Sequence, residues 1–279
     1  MHRAKENGRN NAQYFTLGME VEAKQRRELE KMLRQAIDDQ QFTLNYQPIV
    51  DTTTGKIKSA EALIRWTHPI KGVISPANFI PFAEEKGLIL PIGEWVLNEA
   101  CKTAASWQDH SDHPPSVSVN LSSYQLQRQN IPQLLQNVLA ISGLPAEKLT
   151  LEITESLLLS DDEETLRQLQ GIRQLGVKLS IDDFGTGYSS LSYLKKFPIS
   201  NLKIDRSFIM GLPASSEDAA LVKAIVLMGE SLNLNVIAEG IETQQQADFL
   251  KSLNCKWVQG FLYSKPLSKT DFLNFLKVH

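Results

Sequence analysis

The sequence predicts an α/β fold, a (β/α)8 TIM-like barrel that most of the chain builds. Eight short runs of β-type residues follow one another from Phe42 onward, and amphipathic helical segments separate them. Six of these runs also place a polar residue at the same end, as strands around a barrel mouth do. The runs cover residues 42–49, 57–65, 116–121, 149–154, 177–182, 201–205, 235–239 and 257–262. A doubly wound open sheet is the main alternative, because it has the same alternation of strands and helices.

Start and stop signals bound the helices between these runs. Apolar residues at helical spacing predict a first helix over about 20–39 and another over about 91–107. Ser75 before Pro76 predicts the start of a helix, and Gly87 predicts its end. Cap residues predict the starts of three further helices, at Ser160, Ser215 and Thr243.

Composition excludes several classes of protein. The chain has 29 Lys and Arg against 32 Asp and Glu, a net charge of −3, so no polybasic surface for a nucleic acid polymer is expected. No apolar run reaches the roughly 18–20 residues of a membrane span, and the first residues lack the apolar core of a signal peptide. Two distant cysteines, Cys101 and Cys255, form no disulfide framework, which predicts a cytoplasmic location.

Side chains alternate between the two faces of a strand, so each run divides into an apolar face and a mixed face. The mixed faces carry polar residues near the carboxyl ends of the strands. In a parallel barrel these ends meet at one mouth, where active sites of this architecture lie. The mouth would collect Glu61, Asn120, Glu152, Asp182, Asp183, Lys203 and Glu239.

Five carboxylates in one pocket repel one another by several kcal/mol even at an effective dielectric constant of about 20. One lysine is too little compensation. Carboxylate and amide oxygens suit the hard cations Mg²⁺ and Mn²⁺ rather than zinc. The adjacent pair Asp182 and Asp183 suits two metal ions with a bridging carboxylate. Each residue alone has a structural explanation, such as an edge charge, a turn or an ion pair; their coincidence at one end of six strands favours a metal site.

The chain from about Leu29 onward closely resembles EAL domains, bacterial phosphodiesterases that hydrolyse cyclic di-GMP. The similarity is distributed along the chain in order, and the signature Glu61-Ala62-Leu63 is its most recognisable part. It includes Tyr46-Gln47-Pro48-Ile49, Glu61 to Trp66, Phe79-Ile80-Pro81, Val119 to Ser122, Glu152 to Glu155, Asp182 to Leu191, Lys203-Ile204-Asp205, Glu239 to Glu242, Gln259-Gly260-Phe261 and Lys265-Pro266-Leu267.

The resemblance implies that the first strand is antiparallel to the others. It also implies that two Mg²⁺ or Mn²⁺ ions are held by carboxylates and amides, with Asp182 bridging and Gln259 near the second ion. Lys203 would orient or help deprotonate the attacking water. The implied ligands are Glu61, Asn120, Glu152, Asp182, Asp183, Glu239 and Gln259; of these, Glu61, Asp183 and Glu239 join Lys203 as catalytic residues.

Further roles follow from the same resemblance. Substrate contacts are implied for Gln47, Leu63 and Arg65. Support of the loops around the metals is implied for Glu155, Asp205 and Glu242. Residues 184–191 are similar to a mobile loop that couples dimerisation to metal binding, so a homodimer is expected.

The first twenty residues differ from the rest. The segment Arg3 to Asn10 is polar and resembles the end of a GGDEF domain, which often precedes an EAL domain. We therefore expect residues 1–20 to be a linker or the remnant of an upstream GGDEF-like domain, and residues 21–279 to form the EAL phosphodiesterase domain. In that case the full-length protein carries GGDEF or sensory domains upstream, where a membrane anchor is possible.

The function expected from residues and resemblance together is metal-dependent hydrolysis of cyclic di-GMP to linear 5′-pGpG. Two metals would activate water and clamp the phosphate. Two alternatives stay open. One is a receptor that binds cyclic di-GMP without cutting it, and the other is a metal phosphodiesterase for a different nucleotide, because a fold by itself does not define the substrate.

Overall fold

The computed structural model describes residues 17–109, 113–158, 162–187, 194 and 196–278. The strands are β1 Phe42–Asp51, β2 Ile57–His68, β3 Gly72–Ile74, β4 Ser116–Asn120, β5 Leu149–Thr154, β6 Lys178–Phe184, β7 Asn201–Ile204, β8 Asn235–Ala238, β9 Trp257–Gln259 and β10 Leu267–Ser268. The α-helices are α1 Leu17–Asp38, α2 Pro76–Glu85, α3 Ile89–Ser106, α4 Ser123–Arg128, α5 Ile131–Ser142, α6 Glu155–Leu158, α7 Glu163–Gln174, α8 Arg206–Ile209, α9 Ser216–Ser231, α10 Gln244–Ser252 and α11 Lys269–Leu276.

Eight of these strands close into a barrel, in the order β1-β2-β4-β5-β6-β7-β8-β9 and back to β1. The strands from β2 to β9 pair in parallel, whereas β1 pairs antiparallel with both β2 and β9. The predicted barrel and its antiparallel first strand are therefore confirmed. The open-sheet alternative is wrong, because β1 pairs with both of its neighbours and so closes the barrel.

All eight predicted runs are barrel strands: the run 149–154 coincides with β5, and the others differ from their strands mainly at the carboxyl end. The last one was expected over 257–262, but β9 ends at Gln259 because the chain turns back there to contact Ile241: the Ile241 amide donates to the Gln259 carbonyl. Two short strands, β3 and β10, extend the sheet as antiparallel neighbours of β2 and β1.

The helices pack outside the barrel, and most of them begin where cap residues predict. Ser215 and Thr243 accept hydrogen bonds from backbone amides of the first turns of α9 and α10, and Pro76 is the first residue of α2. The predicted cap Ser160 lies outside the described residues. Asp162 caps α7 instead, where its carboxylate accepts from the amides of Glu164 and Thr165.

The first helix crosses the predicted domain boundary. α1 starts at Leu17, so it includes the end of the segment assigned to an upstream remnant. Residues 1–16 lie outside the described residues, and the division at residue 20 stays a prediction. On α1, the buried residues Leu33 and Ala36 join the single apolar core that fills the space between the strands and the helices.

Candidate active site

The register of the strands places polar side chains from neighbouring strands at one level near the mouth. Gln47 of β1 pairs with Glu61 of β2, and Asn120 of β4 pairs with Glu152 of β5. Asp182 of β6 pairs with Thr154 at the end of β5. Because parallel strands end at the same side of the barrel, these side chains converge there.

Lys203 lies at the centre of this cluster. Its ammonium nitrogen is 2.6 Å from Glu239 Oε1, 2.7 Å from Glu152 Oε2, 3.1 Å from Asp182 Oδ1 and 3.4 Å from Glu61 Oε2. The lysine side chain is 1% exposed. A buried ammonium is stable only when negative groups surround it, and here four carboxylates from four different strands or strand ends do so.

Two amide side chains also belong to this cluster. Gln259 Nε2 donates to Glu61 Oε2 at 2.7 Å and to Gln47 Oε1 at 3.1 Å. Asn120 Nδ2 donates to Glu61 Oε1 at 2.8 Å. Both oxygens of Glu61 are thus fixed by amides and by Lys203, which orients this carboxylate toward the centre of the mouth.

The adjacent carboxylates of Asp182 and Asp183 share one side of the strand, although consecutive residues of a regular strand face opposite ways. The cause is local. Asp183 has a left-handed backbone, with φ of 54°, and the pairing of β6 with β7 shifts register between Ile181 and Phe184. Ligand oxygens of Asp182, Asp183 and Glu239 consequently lie within 4.8 Å of one another.

Burial and mutual repulsion shift the pKa values of this cluster. Burial raises the pKa of Glu239 to about 7, and the charges of Asp182 and Glu61 add to the effect against the opposing Lys203. Burial also raises the pKa values of Glu152 and Asp183. The pKa of Glu61 is lowered, because Lys203 and the amide hydrogen bonds outweigh its burial.

The pKa of Lys203 is also raised, but here burial acts in the opposite direction. Burial by itself would lower the pKa of this ammonium, but the surrounding carboxylates, with Glu152 and Glu239 the strongest, outweigh burial and raise it well above its ordinary value. In the metal-free chain Lys203 is therefore an ammonium ion that donates to the surrounding carboxylates.

The residues present suit hard divalent cations. The available ligand atoms are carboxylate and side-chain amide oxygens, the set that Mg²⁺ and Mn²⁺ prefer. The buried oxygen Gln259 Oε1 has no hydrogen-bond partner in the described part of the chain, so a ligand atom is free beside Glu61. Four carboxylates around one ammonium, with Asp183 beside them, also leave negative charge that a cation would neutralise.

Two cavities meet at Leu63 beside this cluster. The larger, of about 400 Å³, is lined by Leu63, Arg65 and Asn120 together with apolar residues of α2 and α3. The smaller, of about 230 Å³, is lined by Gln47, Leu63, Glu61 and Glu239. The predicted substrate-contacting residues thus border a two-part pocket, with Glu152 in the wall of its larger part and Glu61 and Glu239 in the wall of its smaller part.

The predicted supporting residues differ in what they contact. Glu155 is buried and accepts a hydrogen bond from the Gly185 amide at 2.8 Å, which ties α6 to the segment after β6. Asp205 caps α8 through the Ser207 amide at 3.0 Å. The Glu242 side chain is exposed at the rim of the smaller cavity, and its own amide donates to Gln246.

Arg206 and Phe261 are among the residues that border the smaller cavity without a predicted role. Arg206 follows Asp205 at the start of α8, and Phe261, which is 52% exposed, follows Gln259 and Gly260. Lys265 lies over the Phe261 ring at 5.8 Å from its centre. The sequence signal for both is their position: each comes two or three residues after a polar strand end, where a loop leaves the mouth.

The fold and the site together define a TIM-like barrel protein with a carboxylate-rich candidate metal centre at its mouth. The chain matches the EAL domain family over residues 30–266. It therefore belongs to the EAL domain family, and the predicted membership is confirmed.

Curated relatives and solved structures agree with this family. The cyclic di-GMP phosphodiesterase NbdA of Pseudomonas aeruginosa is 43% identical over all of this chain, and the bifunctional diguanylate cyclase/cyclic di-GMP phosphodiesterase MucR of the same organism is 44% identical over 98% of it. The structure of the PaMucR phosphodiesterase in complex with c-di-GMP superposes with a TM-score of 0.84, at 45% identity, covering 88% of this chain and 99% of that one.

The chain spans 36% of NbdA and 40% of MucR, so it corresponds to one part of these larger relatives. Within the described residues, no helix is both long enough and apolar enough to cross a membrane.

Proposed function

We propose that this chain is a metal-dependent phosphodiesterase that hydrolyses cyclic di-GMP to linear 5′-pGpG. The observation that carries the proposal is the convergence of Glu61, Glu152, Asp182 and Glu239 on Lys203 at the mouth of an EAL-family barrel. The names of NbdA and MucR, and the cyclic di-GMP complex of PaMucR, support the choice of substrate.

The proposed ligands are Glu61, Asn120, Glu152, Asp182, Asp183, Glu239 and Gln259, with two Mg²⁺ or Mn²⁺ ions. Bound there, the ions would supply Lewis-acid activation of water and charge stabilisation for the phosphodiester. An amide side chain offers its oxygen after rotation about its last torsion, so Asn120 can turn from donating to Glu61 to ligating a cation. The left-handed backbone at Asp183 is what allows two consecutive carboxylates to ligate from one strand.

The chain's own residues would hold the substrate and the water. Lys203, held among the carboxylates, would orient the attacking water or help to deprotonate it. Gln47 and Arg65 lie on opposite sides of Leu63, in the two cavities. A dinucleotide with one nucleoside in each cavity would place a phosphodiester beside Glu61.

The test is incubation with cyclic di-GMP in Mg²⁺ or Mn²⁺, with chromatographic separation of linear 5′-pGpG. We expect turnover that stops on chelation and falls at least 10²-fold in Glu61→Gln. Glu163→Gln, on the exposed first turn of α7, is the matched control and should equal the parent. No conversion with either metal, or equal rates in the two variants, would refute the proposal.

The same assay separates the two alternatives. Tight binding of cyclic di-GMP without product over hours would identify a receptor. Faster turnover of cyclic AMP or of a linear dinucleotide would identify another substrate. The complete set of carboxylates and amides at the mouth favours catalysis over binding alone.

We also propose that the chain forms a homodimer and that the full-length protein carries upstream GGDEF or sensory domains. The dimer is supported by α9, whose exposed residues Leu221, Ala224 and Leu227 lie within an apolar arc on the side away from its buried face. The upstream domains are supported by the larger size of NbdA and MucR. Sedimentation of the chain and inspection of the complete reading frame test these two points.

A further inference from the structure

The end of the barrel opposite the mouth carries a basic cavity, which we name the floor cavity. It has a volume of about 700 Å³ and is lined by Lys56, Lys58, Lys148 and Lys178. Lys58 lies near the start of β2, Lys148 directly before β5, and Lys178 at the start of β6. Because these strands are parallel, their starts lie together at the end away from the carboxylates.

The four floor lysines lack the partners that Lys203 has. Among the described residues, no carboxylate lies within 4.0 Å of the ammonium group of any of the four. Two acidic residues, Asp51 and Glu147, also line the cavity. Asp51 Oδ1 is already used: it accepts from the amides of Thr53 at 2.7 Å and Thr54 at 2.8 Å.

Two lysines are held in place by the fold. The Lys148 ammonium donates to the Pro114 carbonyl at 2.6 Å, and Lys58 lies over the Trp257 ring at 5.3 Å from its centre. Lys178 is half-buried, and burial together with the charges of Lys58 and Lys148 lowers its pKa. The positive charges thus crowd one another, and an anion among them would relieve this repulsion.

We propose that the floor cavity binds a compact oligophosphate, an anion with two or more linked phosphoryl groups. Lysine ammonium groups bind phosphate as point charges, and four of them from three separate segments line one concavity. A compact anion suits this geometry better than an extended polyanion, because the chain as a whole has a net charge of −3 and repels anions outside the cavity. The proposal is independent of the phosphodiesterase activity.

The test is calorimetric titration of the metal-free chain, in EDTA, with inorganic tripolyphosphate. Chelation keeps the anion from binding to cations at the mouth. We expect saturable binding that weakens at least tenfold in the double variant Lys58→Gln/Lys178→Gln and falls steeply with salt. Lys223→Gln/Lys251→Gln, with two exposed helix lysines, removes the same charge elsewhere and should bind as the parent does.

Two further measurements make the result decisive. Acetylation of the parent, read by mass spectrometry, should show protection of the floor lysines by tripolyphosphate, but none of Lys223; this needs no variant to fold. ATP and GTP are compared with tripolyphosphate: equal affinities identify the phosphate chain as the whole ligand, and a tenfold preference for one nucleotide adds recognition of its base. Dissociation constants above about 10 mM for all three anions, equal weakening in both double variants, or uniform protection of all lysines would overturn the proposal.

Discussion

Lys203 partly compensates the negative charge of the mouth in the absence of a metal. It lies within 3.4 Å of carboxylate oxygens from Glu61, Glu152, Asp182 and Glu239 and is almost fully buried. Removing one partner of a buried ion pair leaves uncompensated charge, which costs more than the pair gains by forming. The stability of the metal-free chain should therefore depend on this residue more than on any exposed lysine.

Substitution of Lys203 tests this dependence. We expect Lys203→Met to lower the free energy of unfolding of the metal-free protein by about 3–5 kcal/mol at neutral pH. Urea unfolding in EDTA measures the change. Lys251→Met, on the exposed face of α10, serves as control and should stay within about 0.5 kcal/mol of the parent. Equal unfolding midpoints for the two variants would show that the carboxylates are compensated in another way.

Glu239 makes the stability of the metal-free protein depend on pH. Its pKa is raised to about 7, mainly by burial, so the folded state binds a proton that the unfolded state has released above the ordinary glutamate pKa of 4.5. This contribution is fully present below pH 4.5 and is lost as pH rises through about 7. Glu152 and Asp183 change in the same sense.

We expect the metal-free protein to lose on the order of 1–3 kcal/mol of stability between about pH 5 and about pH 8. Thermal melting in EDTA across this range measures the loss. Glu239→Gln removes one titrating group and should reduce the loss, while Glu152 and Asp183 still contribute to it. A parent whose melting temperature rises over the same interval would contradict the expected direction of this pH dependence.

At the scale of elements, close approach of two backbone segments positions the residues of the last strand. A Cβ atom built on Gly260 would lie 2.1 Å from the Ile241 carbonyl oxygen and 2.3 Å from the Ile241 nitrogen. Real Cβ atoms do not come so near to backbone, and neither segment can rotate away as a side chain would. Gly260 thereby lets the end of β9 pack against the segment after β8, with Gln259 facing Glu61.

Gly260→Ala should consequently destabilise the fold by about 1–3 kcal/mol or more and displace Gln259 from Glu61. Urea unfolding measures the first effect, and the affinity for Mn²⁺ measures the second. Gly171→Ala in α7 is the control, because its new Cβ would meet the movable ring of Pro132 at 2.9 Å and alanine favours the helix. If Gly260→Ala is as stable as Gly171→Ala, the close approach of the two backbone segments does not require a glycine at position 260.

The elements also explain what the sequence allowed us to predict. Alternating apolar faces and cap residues located the strands, and the polar residues at their ends located the mouth, because both signals act within a few residues. Gly260 and Ile241 come close to each other only when the barrel has closed. The left-handed Asp183, which brings two consecutive carboxylates together, depends on the shifted pairing of β6 with β7. Neither feature has a local sequence pattern.

At the scale of the whole molecule, charge is separated along the barrel axis. The mouth gathers carboxylates around Lys203, and the floor cavity gathers four lysines. Strand polarity produces this separation, because Lys178 is the first residue of β6 and Asp182 lies toward the carboxyl end of the same strand. The net charge of −3 reveals neither cluster, because the charges at the two ends of the barrel largely cancel in the sum. We therefore expect cations and anions to bind at opposite ends of the barrel.

The surface of α9 offers a test of the proposed dimer. This helix buries Val222, Ile225 and Val226 against the barrel, yet Leu221 and Leu227 on its other side are 40% and 53% exposed. A helix that is apolar on two sides is typical of one covered on both. We therefore place the dimer contact on the exposed apolar side of α9.

Leu227→Glu should convert a dimer into a monomer, because a carboxylate in an apolar contact loses hydration without gaining a partner. Light scattering behind size exclusion measures the mass, and we expect it to fall from that of two chains to that of one. Ile141→Glu on α5, at a site 80% exposed, introduces the same charge and should leave the dimer intact. A parent that is monomeric at high concentration, or a Leu227→Glu variant that stays dimeric, would place any self-association elsewhere. Only one short helix separates α9 from β7, which carries Lys203, so a change at the dimer contact could reach the metal centre. A monomeric variant with unchanged Mn²⁺ affinity would show that the dimer contact and the metal centre are independent.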